Sequence, residues 1–301
     1  MDLVVLAAGM GSRFGGNKQT EGVDENGNFI IDYSIFDALK VGFDKIVLII
    51  KKEHLPIFEK TLSKRVGKGK IKYVFQTNDV LKEHGIDRTK PLGTAHAILC
   101  AKDEVSDNFC IVNADDFYGR ESFKVAYEFL KNADKNSLNF GLVGYKLENT
   151  LSENGSVKRG ICKVVGGSVT DITESKISVE DNQVKIVSLD GNEIDYERDM
   201  IVSMNMFCLT PKIFDYLQKG FNEFCADENN LKNKEFLIPQ FLGELTEKGL
   251  SSLALLRTSE KWFGMTYKQD LPLVKNSLLK LRQSGVYPMV LWHENKENLE
   301  F

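Results

Sequence analysis

The chain has 301 residues, of which 42% are hydrophobic and 27% charged, with a formal net charge of -4 at pH 7. That supports one large α/β domain, or a core domain with a smaller appendage, around a sizeable interior. It excludes a basic nucleic-acid binder, which needs a strong cationic excess, but a few local Lys and Arg suffice to hold a small anion.

The N-terminus lacks a basic leader and a long apolar run, so neither a signal peptide nor a membrane span is expected. Leu3–Ala7, Lys45–Ile50, Ile71–Gln76 and Phe109–Asn113 read as buried strands. Asp32–Val41, Glu53–Lys64 and Thr94–Ala101 read as the helices between them. Such alternation builds a Rossmann-like, mostly parallel (mixed) sheet flanked by helices. Ligands then collect beyond the carboxyl ends of the strands, in the loops after the first, third and fourth. Further on, Ser122–Ala133 reads as a helix and Asn139–Tyr145 as a strand. Residues 152–199 are rich in Gly, Asp, Asn, Ser and Thr, with short runs at Gly160–Val165 and Lys185–Leu189. They predict a smaller β-rich lobe facing the sheet across a cleft. Helices at Pro211–Phe224 and Glu235–Lys248, a strand at Ser252–Leu256 and a helix at Leu271–Ser284 close the fold. Val286–Phe301 reads as an appendage. The five cysteines have no CxxC spacing and suit reduced, packed thiols of a cytoplasmic protein.

The strongest local feature is Leu6-Ala7-Ala8-Gly9-Met10-Gly11-Ser12-Arg13-Phe14-Gly15-Gly16-Asn17-Lys18-Gln19. Glycines let backbone amides approach phosphate oxygens, and Arg13 and Lys18 add the charge a triphosphate needs. A dinucleotide fingerprint GxGxxG fails at Phe14. A Walker A loop fails at Asn17, where its lysine belongs.

LAAGxGSR followed by a lysine resembles the signature of the sugar-phosphate nucleotidyltransferases, which include glucose-1-phosphate thymidylyl- and uridylyltransferases and N-acetylglucosamine-1-phosphate uridylyltransferase domains. The likeness spans roughly residues 1–285. It implies a nucleotidyltransferase domain, with 1–135 mainly nucleotide-binding, 136–285 mainly acceptor-binding, and 286–301 appended. By it, Leu6, Ala7, Ala8, Gly9, Gly11 and Ser12 hold the triphosphate, Arg13 grips the leaving pyrophosphate, and Lys18 neutralises the α-phosphate. The family's Pro-Lys is Asn17-Lys18 here, which suggests a distinct subgroup. Gln76 matches the glutamine that reads the base, and an amide offers both donor and acceptor. Pro91-Leu92-Gly93-Thr94-Ala95-His96-Ala97 resembles the family's LGTAHA turn, so Gly93 and Thr94 are expected at the base. Thr94 also suits a helix N-cap, and His96 reads as structural. The 77–92 loop carries Arg88 and Lys90, which read as candidates for reaching the nucleotide.

Asn113-Ala114-Asp115-Asp116-Phe117-Tyr118-Gly119 is similar to the family's metal-binding strand end, with Asp115 the better match and Asp116 the fallback. A carboxylate there suits Mg²⁺. Arg159-Gly160 and Glu174-Ser175-Lys176 resemble the sugar site. Gly160 would approach the sugar, Glu174 accept its hydroxyls and Lys176 hold the acceptor phosphate, with Asn205 lining the same cavity. A second metal ligand falls on Thr266 in one alignment and on Gly264 in another. The resemblance implies Mg²⁺-dependent transfer from UTP, dTTP or CTP to a sugar 1-phosphate. The alternatives are a cytidylyltransferase for a phosphoalcohol or phosphonate, and a non-catalytic nucleotide-binding regulatory protein. No nucleic-acid or membrane partner is expected, and the oligomeric state is left open.

Overall fold

The computed structural model describes residues 1–9, 20–67, 69–152, 155–180, 183–265 and 267–292. Strand β1 (Asp2–Leu6) is buried along its whole length. It lies between β2 (Lys45–Ile50) and β4 (Phe109–Asn113), and both pairings are parallel. β3 (Ile71–Phe75) extends this parallel set beside β2. These are the apolar runs expected of strands covered on both faces. Helix α1 (Ile30–Val41) follows the first loop; the Asp32 carboxylate accepts from Phe29 N at 2.7 Å and holds its first turn.

The single helix expected over 53–64 is broken into α2 (Leu55–Lys60) and α3 (Leu62–Val66). At the break, the Thr61 hydroxyl donates to Ile57 O at 2.6 Å, and such back-bonding bends a helix. The loop after β3 contains α4 (Asp79–Glu83) and leads into α5 (Thr94–Cys100). A short strand β5 (Asp116–Phe117) and helix α6 (Arg120–Asn132) follow β4.

The second half is a correction to the sheet as read from sequence: it is largely antiparallel and continuous with the first half. The strands are β6 (Asn139–Lys146), β7 (Val157–Val165), β8 (Ser168–Glu180), β9 (Gln183–Ser188), β10 (Glu193–Ile194) and β11 (Ile201–Leu209). They are completed by α7 (Ile213–Cys225), α8 (Glu228–Asn233), α9 (Ile238–Glu247), β12 (Ser252–Arg257), β13 (Phe263–Gly264) and α10 (Asp270–Gln283). One mixed sheet runs β10-β9-β8-β12-β6-β11-β4-β1-β2-β3, and β7 bridges β11 and β8. Strands β8, β12, β6, β11 and β7 therefore close a ring, a small barrel fused to the parallel set. Hairpins and long antiparallel strands explain the change, because they need no crossover helices.

β11 joins the two halves. Val202 and Ser203 pair with β7, whereas Phe207, Cys208 and Leu209 pair with β4, and the register on β6 shifts between Ser203 and Phe207. Asn205 sits in this bulge with φ 59°, the one non-glycine residue at positive φ among the described residues. Asparagine tolerates that conformation, and bulges re-aim side chains beside sites.

Apolar clusters fill both faces of the sheet, one including α1 and α6, the other α5, α7 and α9. A third gathers Tyr33, Phe117, Met265, Tyr287 and Leu291. The segment read as an appendage supplies part of it: the Tyr287 hydroxyl donates to buried Asp37, and Trp292 Nε1 donates to buried Asp32 at 2.7 Å. All five cysteines are free thiols. Among the described residues no helix is long and apolar enough to cross a membrane.

Candidate active site

The ends of β1, β2, β3 and β4 are laced together by backbone hydrogen bonds. Ala7 N donates to Ile49 O at 2.8 Å, Ala114 N to Leu6 O at 3.1 Å and Gln76 N to Ile50 O at 3.1 Å. Leu6, Ala7 and Ala8 are buried and Gly9 emerges at the surface. The loops after β1, β3 and β4 thus leave one edge of the sheet, as the sequence placed them. Gly11, Ser12, Arg13 and Lys18 lie outside the described residues. The chain returns through a turn at 23–28 organised by Asp24, whose carboxylate accepts from Asn26 N, Asn28 N and the Tyr33 hydroxyl.

Beyond β3, Gln76 Nε2 lies 3.0 Å from Gly93 O and 3.3 Å from His96 Nδ1. Gly93 has φ 113° and ψ 176°, a conformation nearly exclusive to glycine, and a Cβ there would lie 2.3 Å from Phe236 O. The turn is that tight because the segment before α9 clamps it: Phe236 N donates to Leu92 O at 2.7 Å and Ala95 N to Phe236 O at 3.0 Å. Thr94 is not the N-cap expected of it. Gly93 takes that position, and the Thr94 hydroxyl accepts from Ile238 N at 3.0 Å. His96 is buried, stacked on Phe221 with centroids 4.6 Å apart, and burial pushes its pKa down to about 4.

The 77–92 loop is latched rather than poised over a nucleotide. Arg88 donates to Lys90 O, Pro91 O, Leu231 O and Lys234 O, and Lys90 pairs with Glu235 at 2.6 Å. Their charges fasten the loop to the segment between α8 and α9.

At the end of β4, the two aspartates have different surroundings. Asp116 is buried, and its Oδ2 accepts from Asn113 Nδ2 at 2.9 Å and from the Tyr118 hydroxyl at 3.3 Å. Asp115 is half-buried, and its carbonyl accepts from Met265 N at 3.1 Å. β13 pairs with β5, placing Gly264 opposite Asp116, and a Cβ on Gly264 would lie 2.5 Å from Asp116 Oδ1. Glycine at 264 has no side chain to offer a metal, and its lack of a Cβ makes room for the Asp116 carboxylate. Thr266 lies outside the described residues, one residue beyond the Met265–Asp115 contact. Among the described residues no group of three His, Cys, Asp or Glu is placed to hold a metal ion.

In the antiparallel half, β7 and β8 put Gly160 opposite Glu174 and Lys158 opposite Lys176. Strand alternation sets Glu174 and Lys176 on one face. A Cβ on Gly160 would meet Ile172 Cγ2 at 2.5 Å and Glu174 Oε1 at 3.3 Å, so glycine makes room for the carboxylate. Burial raises the Glu174 pKa, opposed by Lys158 and Arg159. Ser203, whose Oγ accepts from Asn205 N at 3.2 Å, pairs with Gly160. Lys176 lines a cavity of about 910 Å³ with Ser178, Lys261 and Trp262.

A protein-family model described as Nucleotidyl transferase matches residues 3–265. The chain belongs to the nucleotidyl transferase family. Two curated relatives are both named Bifunctional protein GlmU. That of Methanocaldococcus jannaschii is 30% identical over 159 residues, covering 51% of this chain and 35% of the relative. That of Thermodesulfovibrio yellowstonii is 28% identical over 241 residues, covering 77% of this chain and 48% of the relative. The chain thus spans less than half the length of either. Among solved structures, the inositol-1-phosphate CTP transferase from T. maritima superimposes with a TM-score of 0.61 at 16% identity, covering 94% of this chain and 96% of that one. A putative glucose-1-phosphate thymidylyltransferase from Bacillus anthracis gives 0.62 at 14% identity, covering 92% and 94%. These two likenesses establish the fold.

Within this nucleotidyl transferase, two supports of the site escaped the sequence reading. Arg159 is buried on the face opposite Glu174, with its guanidinium 4.3 Å from the Trp262 ring and donating to Thr150 O at 2.6 Å. Burial pushes its pKa down to about 10, opposed by the charges of Asp116 and Glu174. The Trp262 ring in turn stands where a Gly264 Cβ would be, 2.7 Å away. This stack connects the β7–β8 hairpin to the strand beside Asp115. Arg159 and Trp262 are separated by a hundred residues, so no local pattern reveals their contact. The Phe236–Ile238 clamp escaped for the same reason.

Proposed function

We propose that this chain transfers a nucleotidyl group from a nucleoside triphosphate to a sugar 1-phosphate, with Mg²⁺, giving a nucleotide-sugar and pyrophosphate. The observation that carries the reading is the junction at β11. Its bulge brings Asn205, and through Ser203 the Gly160–Glu174 pair, beside the strand end that holds Asp115. On this reading, donor and acceptor meet across the carboxyl edge of one sheet.

The acceptor phosphate oxygen attacks the α-phosphorus in line, and the bond from that phosphorus to the oxygen bridging to the β-phosphate breaks. No enzyme nucleophile is needed, because the acceptor phosphate is already ionised at neutral pH. Leu6, Ala7, Ala8, Gly9, Gly11 and Ser12 hold the triphosphate, Arg13 the leaving pyrophosphate and Lys18 the α-phosphate, while Gln76, Gly93 and Thr94 hold the base. Gly160, Glu174, Lys176 and Asn205 bind the acceptor. Mg²⁺ fits the donor set, since it takes one or two carboxylates together with phosphate oxygens and water. Asp115 would hold it, with Thr266 the weaker second candidate, and the ion would offset charge on the phosphates. The residues contribute positioning and electrostatic stabilisation.

A phosphoalcohol acceptor is the second reading, favoured by the fold likeness to the inositol-1-phosphate CTP transferase. Pyrophosphate release over a matrix of UTP, dTTP and CTP against sugar 1-phosphates and inositol 1-phosphate separates the two. Lys18→Ala should lower kcat by about 10²–10³, as losing a preorganised electrostatic donor does. Near-wild-type kcat in that variant would refute the mechanism.

A further inference from the structure

The contacts of Gln76 form a closed logical chain. Gly93 O is a carbonyl and can only accept, so the Gln76 atom 3.0 Å from it is the amide nitrogen. The same nitrogen is 3.3 Å from His96 Nδ1, so Nδ1 is the acceptor of the neutral ring. The ring proton then sits on Nε2, which faces Cys100 Sγ at 3.7 Å, a soft acceptor one helical turn along α5. Both N–H bonds of the amide are spent inside the protein, on Gly93 O and His96 Nδ1. The Oε1 is what the amide has left to offer. An isolated glutamine could turn over and present either end, but here the turn would set its oxygen against a carbonyl and an imidazole lone pair.

The anchors are themselves fixed. Gly93 cannot shift its carbonyl freely, because Phe236 packs against its Cα from one side and bonds Leu92 and Ala95 on either flank. His96 is held flat against Phe221, with planes 20° apart. Burial keeps the ring neutral, the state this arrangement requires.

We propose that His96 is a positioning residue that fixes Gln76 as a pure hydrogen-bond acceptor, so that the site selects nucleobases presenting an N–H donor to Gln76 Oε1. This rests on the reading above that Gln76 contacts the base. Uracil and thymine carry such a donor at ring position 3 and cytosine at the exocyclic position 4, so one fixed acceptor cannot suit both in the same pose. Wild-type kcat/KM should therefore separate UTP and dTTP from CTP about ten- to a hundredfold, the size of leaving two acceptors opposed.

In His96→Phe, which keeps the stack on Phe221 but removes the acceptor, one of the two contacts opposing the turn of the amide is lost while Gly93 O remains, so that ratio should fall by about three- to tenfold. His96→Asn, whose side-chain oxygen reproduces the position of Nδ1, should restore it. A ratio unchanged in a folded His96→Phe overturns the proposal, as does a wild type that uses UTP and CTP equally. Gln76→Leu separates the two layers. If it leaves the ratio unchanged, the base reading itself has failed. If it abolishes the ratio while His96→Phe leaves it unchanged, only the role of His96 has failed. Should His96→Phe not fold, ¹⁵N imidazole spectra of the wild type decide: the Nε2–H tautomer is expected, and an Nδ1–H tautomer overturns the assignment.

Discussion

Gly93→Ala should be strongly destabilising. The new Cβ would lie 2.3 Å from Phe236 O and 2.7 Å from Phe236 N, both backbone atoms that no rotamer change can move. At φ 113° and ψ 176° an alanine is also strained by about 1–3 kcal/mol. Displacing Phe236 jeopardises its hydrogen bonds with Leu92 and Ala95, worth about 1 kcal/mol each. The sum is roughly 3–5 kcal/mol, or a melting temperature lower by about 5–8 °C for a chain of this size. Thermal unfolding read by circular dichroism measures it. Gly243→Ala is the control: it lies within α9 with nothing inside 4 Å of its Cβ position, and should gain about 0.5–1 kcal/mol. A Gly93→Ala protein that melts within about 2 °C of wild type would refute the reasoning.

Two further outcomes follow from the buried acids of α1. Burial pushes the pKa of Asp32 and of Asp37 up to about 6 from 3.8, against the pull of Arg65 and Arg120. The folded chain binds these protons more tightly than the unfolded one, so their contribution is full below pH ~4 and is lost as pH rises through about 6. That is worth about 3 kcal/mol per carboxyl. Wild-type stability minus that of Asp32→Asn, from urea titrations, should fall by this amount between pH ~4 and ~7, and a constant difference would contradict it. Tyr287→Phe deletes the hydroxyl that donates to Asp37 and should cost about 1.5–3 kcal/mol in the same assay. No change would mean that the bond contributes nothing.

The parallel half of the fold was legible because β1, β2 and β4 are short, nearly continuous apolar runs, the pattern of strands covered on both faces. The strand ends were legible for the same reason: once the runs were placed, Gln76 and Asp115 fell at their carboxyl termini. The antiparallel half was not, since short alternating runs in 152–199 specify strands but not partners. The ring through β7, β8, β12, β6 and β11 depends on contacts such as Ala254 with Ser168, far apart in the chain. Side-chain roles were legible only where chemistry was local. Arg88 reads as a phosphate ligand by its charge, and only the backbone carbonyls of Leu231 and Lys234 reveal it as a fastener.

The double membership of β11 has a mechanical consequence. A strand bonded to β4 at one end and to β7 at the other cannot serve as a hinge without breaking backbone hydrogen bonds on one side. Rocking of the antiparallel strands against the parallel set is thereby expensive, and the continuous sheet behaves as one rigid frame.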